Sequence, residues 1–189
     1  TQGRQFQLGQ LIAPVTLSGG LYIPLEWQST NTGNPLLNRR SDLWGRVTTP
    51  DNSEANADYP IIGFTNADPT DPLGAGGTGR YRVWDPEAGG DGWQDLATPV
   101  AYDAWSDFDI KWDGTKYEYY INGVLVYTDN TVGPGTVFTT AFVQAYNFFN
   151  TTGGDAETTY TANWSQVSVT TAVPEPATLA LFGAGLLGL

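Results

Sequence analysis

Between Trp105 and Tyr127 the chain alternates polar and apolar positions almost one for one. Phe108, Ile110 and Trp112 interleave with Asp107, Asp109 and Lys111, the period of two expected when one face of a strand is buried. Asp113-Gly114 then turns the chain, and Tyr117, Tyr119 and Ile121 resume the alternation. Asn122-Gly123 follows; both residues accept positive φ, so the pair predicts a type I′ hairpin. Val124 to Tyr127 closes a three-stranded meander. Phe108, Ile110 and Trp112 are expected to enter the core together.

Elsewhere the apolar runs are short and bounded by turn residues. Phe6, Leu8, Leu11 and Ile12 suggest an opening strand, and Leu21 to Leu25 a short second one. Further strands are expected at Leu43–Val47, Ile61–Phe64, Arg80–Trp84, Val137–Phe149 and within Tyr160–Thr170. The polar, Gly- and Pro-rich stretches 29–38, 49–58, 68–79, 85–95 and 151–157 read as loops. Nothing before residue 176 has the pattern of a long amphipathic helix. Many short strands with regular turns predict an all-β sandwich or barrel. It is expected to occupy residues 1–172 as one domain, with a distinct tail at 173–189.

Composition narrows the chemistry. The 189 residues carry 20 acids against 8 bases, a net charge of −12. Such a surface repels nucleic acid, whose binding needs a basic patch. It suits neutral glycans, divalent cations or an extracellular setting. The chain has no Cys and no His, which excludes disulfides, His-based triads, thiol nucleophiles and ordinary zinc sites. It has no Met and begins Thr1-Gln2-Gly3, so a leader is expected to have been removed. Aromatics are 13% of residues, more than a disordered chain would carry.

Two resemblances add to this reading. Trp105 to Trp112, Asp113-Gly114, Tyr120-Ile121-Asn122-Gly123 and Val124 to Tyr127 resemble the central meander of laminin-G-like, concanavalin A-like domains. That resemblance implies a jelly roll of two antiparallel sheets, and such domains often carry calcium. Val173-Pro174-Glu175-Pro176-Ala177-Thr178, followed by an apolar run to Leu189, resembles the PEP-CTERM sorting signal. It implies export in a Gram-negative, often biofilm-forming bacterium, and recognition by exosortase. The run from Ala177 is 13 residues, about 20 Å as a helix against roughly 30 Å of bilayer core. The sequence printed ends at Leu189, before the Arg cluster that the family pattern carries.

Several groups are candidates for function. The acidic, Gly-rich loop offers Asp85, Glu87, Asp91 and Asp95 as oxygen ligands for calcium. Trp84 and Trp93 flank it and present indole faces suited to sugar rings. Concanavalin-like hydrolases place acids in an E-x-D-x-x-E pattern; the nearest run here, from Asp107 to Trp112, has Asp first and Trp112 where the last acid belongs. The chain is therefore expected not to be an enzyme. The primary expectation is a surface or matrix subunit that self-assembles into a filament or sheet, associated with biofilm. Pro174, Glu175 and Pro176 would serve sorting, and Leu179, Leu181, Phe182, Leu186, Leu187 and Leu189 would serve assembly. The alternative is a lectin-like module for extracellular polysaccharide, with a glycoside hydrolase behind it.

Overall fold

A computed structural model describes residues 2–28, 38–67, 78–145 and 160–171. The sorting tail, including Pro174–Pro176 and the assembly leucines with Phe182, lies outside the described residues. So do most of the 29–38 and 68–79 loops, the 151–157 loop and the end of the Val137–Phe149 strand.

Eleven strands make up the described part: β1 (Gln2–Leu11), β2 (Val15–Ile23), β3 (Arg40–Thr48), β4 (Ile61–Thr65), β5 (Arg80–Trp84), β6 (Trp93–Asp95), β7 (Ala104–Trp112), β8 (Tyr117–Ile121), β9 (Val124–Asp129), β10 (Val137–Ala145) and β11 (Asn163–Thr171). The described helical elements are three short 3-10 turns, and none is long and apolar enough to cross a membrane. The strands form two antiparallel sheets. Sheet A runs β1-β10-β3-β4-β5-β6 and sheet B runs β11-β2-β7-β8-β9. The fold is a two-sheet antiparallel jelly-roll sandwich; the strand pattern predicts a sandwich or barrel, and the resemblance of the 105–127 meander implies the jelly roll.

The meander is built as its alternation dictates. Phe108, Ile110 and Trp112 of β7 and Tyr117, Tyr119 and Ile121 of β8 all enter the core. Sheet A answers with Leu43 and Val47, Ile62 and Phe64, Tyr81 and Val83, and Phe138 and Ala141. Phe108 meets Tyr81 edge-on across the sandwich at 5.7 Å. Asn122 and Gly123 sit at φ 50° and 77°, the left-handed values a type I′ turn requires. A Cβ at Gly123 meets nothing, so Gly123→Ala isolates the backbone cost. We expect a loss of about 1–2 kcal/mol in urea unfolding, the cost of left-handed backbone for an L-residue.

Two expectations need correction. The second strand begins at Val15, not Leu21. The core positions Val15, Leu17, Leu21 and Ile23 are interrupted by Gly19, which masks the alternation. Gly19 faces inward, where a Cβ would touch Trp164 and Val167 of β11 at 3.4 Å. The 85–95 loop also ends early. Trp93–Asp95 pairs with β5, setting Trp93 opposite Trp84 and Asp95 opposite Arg82.

Candidate functional site

The inward face of sheet A is apolar, so the residues between its core positions share the outer face. Register aligns them into two tracks running across the strands. The first is Phe142–Trp44–Ile61–Trp84–Trp93, one residue each from β10, β3, β4, β5 and β6. The second, two residues along each strand, is Gln144–Asp42–Gly63–Arg82–Asp95. Four interstrand gaps give each track a length of about 19 Å. An aromatic track beside a polar one is what a sugar chain needs, with apolar ring faces on one side and hydroxyls on the other.

At the β10 end the aromatic track opens into a hollow of ≈ 290 Å³ lined by Gln5, Trp44, Tyr59, Phe142 and Gln144, near the lower end of ligand-sized clefts at ~300–1,000 Å³. Trp44 meets Tyr59 and Phe142 edge-on at 6.3 Å each. Tyr59 is held in place by Arg46, whose Nε donates to its hydroxyl at 3.3 Å, and by donating that hydroxyl to Glu54.

The polar track carries charge out of reach of bulk water. Asp42 is buried; its Oδ2 accepts from Arg40 Nε at 2.6 Å and from Gln144 Nε2 at 3.2 Å. Its Oδ1 has no partner among the described residues. The carboxylate leans over Gly63, where any Cβ would collide with Oδ1. On the far side of Gly63 stands Arg82. Its guanidinium lies over the Trp93 ring at 3.7 Å, beside Arg40 at 4.5 Å from the same ring. The Arg82 side chain makes no hydrogen bond or ion pair among the described residues, its Nε is sealed without an acceptor, and 8% of the residue remains exposed. Burial pushes its pKa down to about 10, with Asp42 pulling it back up and Arg40 and Arg80 pressing it down. Trp44 Nε1 on the same face also lacks a partner. Such unmade hydrogen bonds are few in native proteins, and each marks stored cost or an absent ligand.

The predicted residues divide between two places. Trp84 and Trp93 come together on the aromatic track, rings 5.1 Å apart and tilted by 64°. The four candidate calcium ligands separate. Asp91 accepts from the Trp93 backbone N–H at 3.1 Å, and Asp95 pairs with Arg80 at 2.7 Å. Asp85 and Glu87 join Asp129, at the end of β9, with a carboxylate oxygen from each all within 4.8 Å of one another. Sequence reasoning missed Asp129, Asp42, Arg82, Trp44 and Tyr59; none stands in a local motif, and only register assembles them. Asp107 and Asp109 lie on the outer face of sheet B, where Ser18 donates to Asp109 Oδ1 at 2.5 Å. Trp112, where the hydrolase pattern needs an acid, is core.

Residues 172–189 match the family described as the PEP-CTERM protein-sorting motif. The motif marks an exported protein sorted to the cell surface and implies processing by exosortase. No curated protein matches the chain. Among solved structures, similarity covering 90% of this chain is found to a sialidase at 11% identity and TM-score 0.48, of which the chain spans 14%. A sheep galectin-11 complex with glycerol shows 10% identity and TM-score 0.45 over 90% of this chain and 98% of its own. A heptameric SAP-like pentraxin from Limulus polyphemus shows 14% identity and TM-score 0.44 over 89% and 71%.

Proposed function

We propose that this chain is a non-catalytic, saccharide-binding domain displayed at the cell surface, and that it takes an extended neutral glycan across the outer face of sheet A. The observation that carries the reading is the pair of tracks. Five strands align aromatic and apolar groups in one row, and carboxylate, guanidinium and amide in the next; Phe142, Trp44, Trp84, Trp93, Gln144 and Asp95 are the accessible stations, with Ile61, Gly63 and Asp42 buried between them. Sugar hydroxyls accept as well as donate, so one laid on the row can meet the part of Arg82 that remains exposed, with the buried Asp42 carboxylate beneath it as countercharge. The single cation in excess over Asp42 and Asp95 among Arg40, Arg80 and Arg82 leaves the row near neutral. The self-assembling-subunit reading rests on residues 174–189, outside the described residues, so the track favours the lectin-like one.

The test is a polysaccharide array followed by titration of the hits. Trp44→Ala and Trp84→Ala should each weaken binding by about 1–2 kcal/mol, the scale of an aromatic contact in a binding face. Trp105→Ala, on the outer face of sheet B, should leave it unchanged, and no reducing ends should accumulate. Absence of any saccharide ligand, or binding indifferent to Trp44→Ala and Trp84→Ala, would return the self-assembling subunit to first place.

A further inference from the structure

The second concentration of polar groups lies where the connection between Trp84 and Trp93 meets the end of β9. Asp85 follows β5 of sheet A, and Asp129 ends β9, the edge strand of sheet B. Asp85 and Asp129 are buried, whereas Glu87 is exposed. Tyr127 of β9 donates its hydroxyl to Asp85 Oδ2 at 2.7 Å, so the β9 edge already touches the end of β5 here. Asp58 stands close by, accepting at Oδ2 from the Gly133 N–H at 3.2 Å. None of these four carboxylates takes part in an ion pair among the described residues. Asp129 Oδ1 accepts from the Thr131 N–H and hydroxyl, each at 2.8 Å, which fixes the carboxylate where it faces Asp85 and Glu87.

An independent observation points to a missing ligand. Tyr119 is 0% exposed, and its hydroxyl has no hydrogen-bond partner among the described residues. In register it stands opposite Tyr127, ring to ring at 6.1 Å, while Tyr117 on the same strand stands opposite Asp129. Burial holds the Tyr119 hydroxyl in its neutral form, and the charges of Asp129, Asp58 and Asp85 act on it in the same direction. A buried hydroxyl left unpaired costs about 1–3 kcal/mol, and converging carboxylates without a cation add repulsion to that cost. A hydrated divalent ion answers both: it neutralises the acids, and its water or its own coordination shell reaches the phenol.

We infer that Asp85, Glu87 and Asp129 bind a calcium ion, with Asp58 and Tyr119 beside them, and that the ion clamps the β9 edge of sheet B to the end of β5 in sheet A. Every donor is an oxygen, which excludes thiolate- or imidazole-seeking metals. Carboxylates on two sheets and a turn form an irregular, adaptable set that suits calcium; magnesium demands near-ideal octahedral geometry. The ion serves assembly of the sandwich, and the proposal does not depend on saccharide binding. The carboxylates of Asp91 and Asp95 take no part.

The experiment is titration of the chelator-treated full chain with calcium chloride, followed by calorimetry and thermal melting, with magnesium chloride as comparison. Terbium luminescence sensitised by Tyr119 and Tyr127 reports the location. We expect one saturable site with Kd of about 10⁻⁴–10⁻³ M, the range of extracellular modules, and a melting temperature that rises with calcium and much less with magnesium. Glu87→Gln, an exposed change that leaves the core intact, should weaken calcium and terbium binding about tenfold or more; Asp129→Asn should do the same. Asp91→Asn should have no effect. No saturable binding in the unmodified chain, or binding unaltered by Glu87→Gln, overturns the assignment.

Discussion

Phe108→Ala is expected to cost about 3–5 kcal/mol of folding stability, the range for deleting a fully buried phenylalanine ring. Phe108 is 0% exposed at the centre of β7. Its ring meets Tyr81 of sheet A at 5.7 Å and Trp164 of β11 at 6.0 Å, so it fills the space where both sheets and the last strand converge. Those neighbours are large rings anchored by hydrogen bonds. The Tyr81 hydroxyl bonds with Ser106 Oγ at 2.6 Å, and Trp164 Nε1 donates to Ser41 Oγ at 2.9 Å. They are poorly placed to collapse into the vacated volume, which puts the cost toward the upper end of the range. Against a typical total of roughly 5–15 kcal/mol, the variant should unfold at markedly lower urea, with an unchanged slope. Phe108→Leu retains most of the volume and should cost no more than about 1.5 kcal/mol. If the alanine variant melts within a few degrees of the parent, Phe108 is not the keystone that its contacts describe.

How much of the structure is legible in the sequence follows the range of the interactions. The 105–127 meander can be read residue by residue, because alternation, Asp113-Gly114 and Asn122-Gly123 are all local signals. The start of β2 is hidden by Gly19, a core position with no side chain. Ser18 before it faces outward and bonds Asp109, and Gly20 after it adds a second gap. The strand at Trp93–Asp95 is hidden inside an acidic, Gly-rich run whose composition says turn. The candidate binding face is the least legible part. Trp84 and Trp93 stand out by residue type, yet what sets them in one row with Trp44 and Phe142 is the order β10-β3-β4-β5-β6. That order joins positions about a hundred residues apart, such as Asp42 and Gln144. Asp129 escapes for the same reason. It meets Asp85 and Glu87 because β9 closes over the end of β5, and the spacing from residue 87 to residue 129 carries no local signal.

Arg82→Met is expected to separate stability from binding. Arg82 is buried on the outer face of sheet A, with no side-chain hydrogen bond or ion pair among the described residues and a pKa pushed down to about 10 by burial. A cation whose folded pKa lies below its unfolded value of 12.5 opposes folding. That penalty is fully present below pH 10 and is relieved as pH rises through 10 toward 12.5. Methionine keeps the length and the contact with Trp93 while removing the charge, although it forfeits the cation–π attraction at 3.7 Å. Removing an unpaired buried charge relieves its desolvation cost, and a gain of about 1–2 kcal/mol is expected here after the lost ring contact. The gain should be equal at about pH 6 and pH 8, since Arg82 is charged in both folded and unfolded chains at either pH. Saccharide affinity should fall by about 2 kcal/mol or more, because a charged donor reaching a sugar hydroxyl is worth roughly 1.5–3 kcal/mol. A residue kept for stability alone would show the opposite pattern, with melting and binding falling together. A stable variant with undiminished saccharide affinity would remove Arg82 from the site, and a destabilised one would show that Trp93 and the neighbouring carboxylates compensate its charge more fully than its geometry indicates.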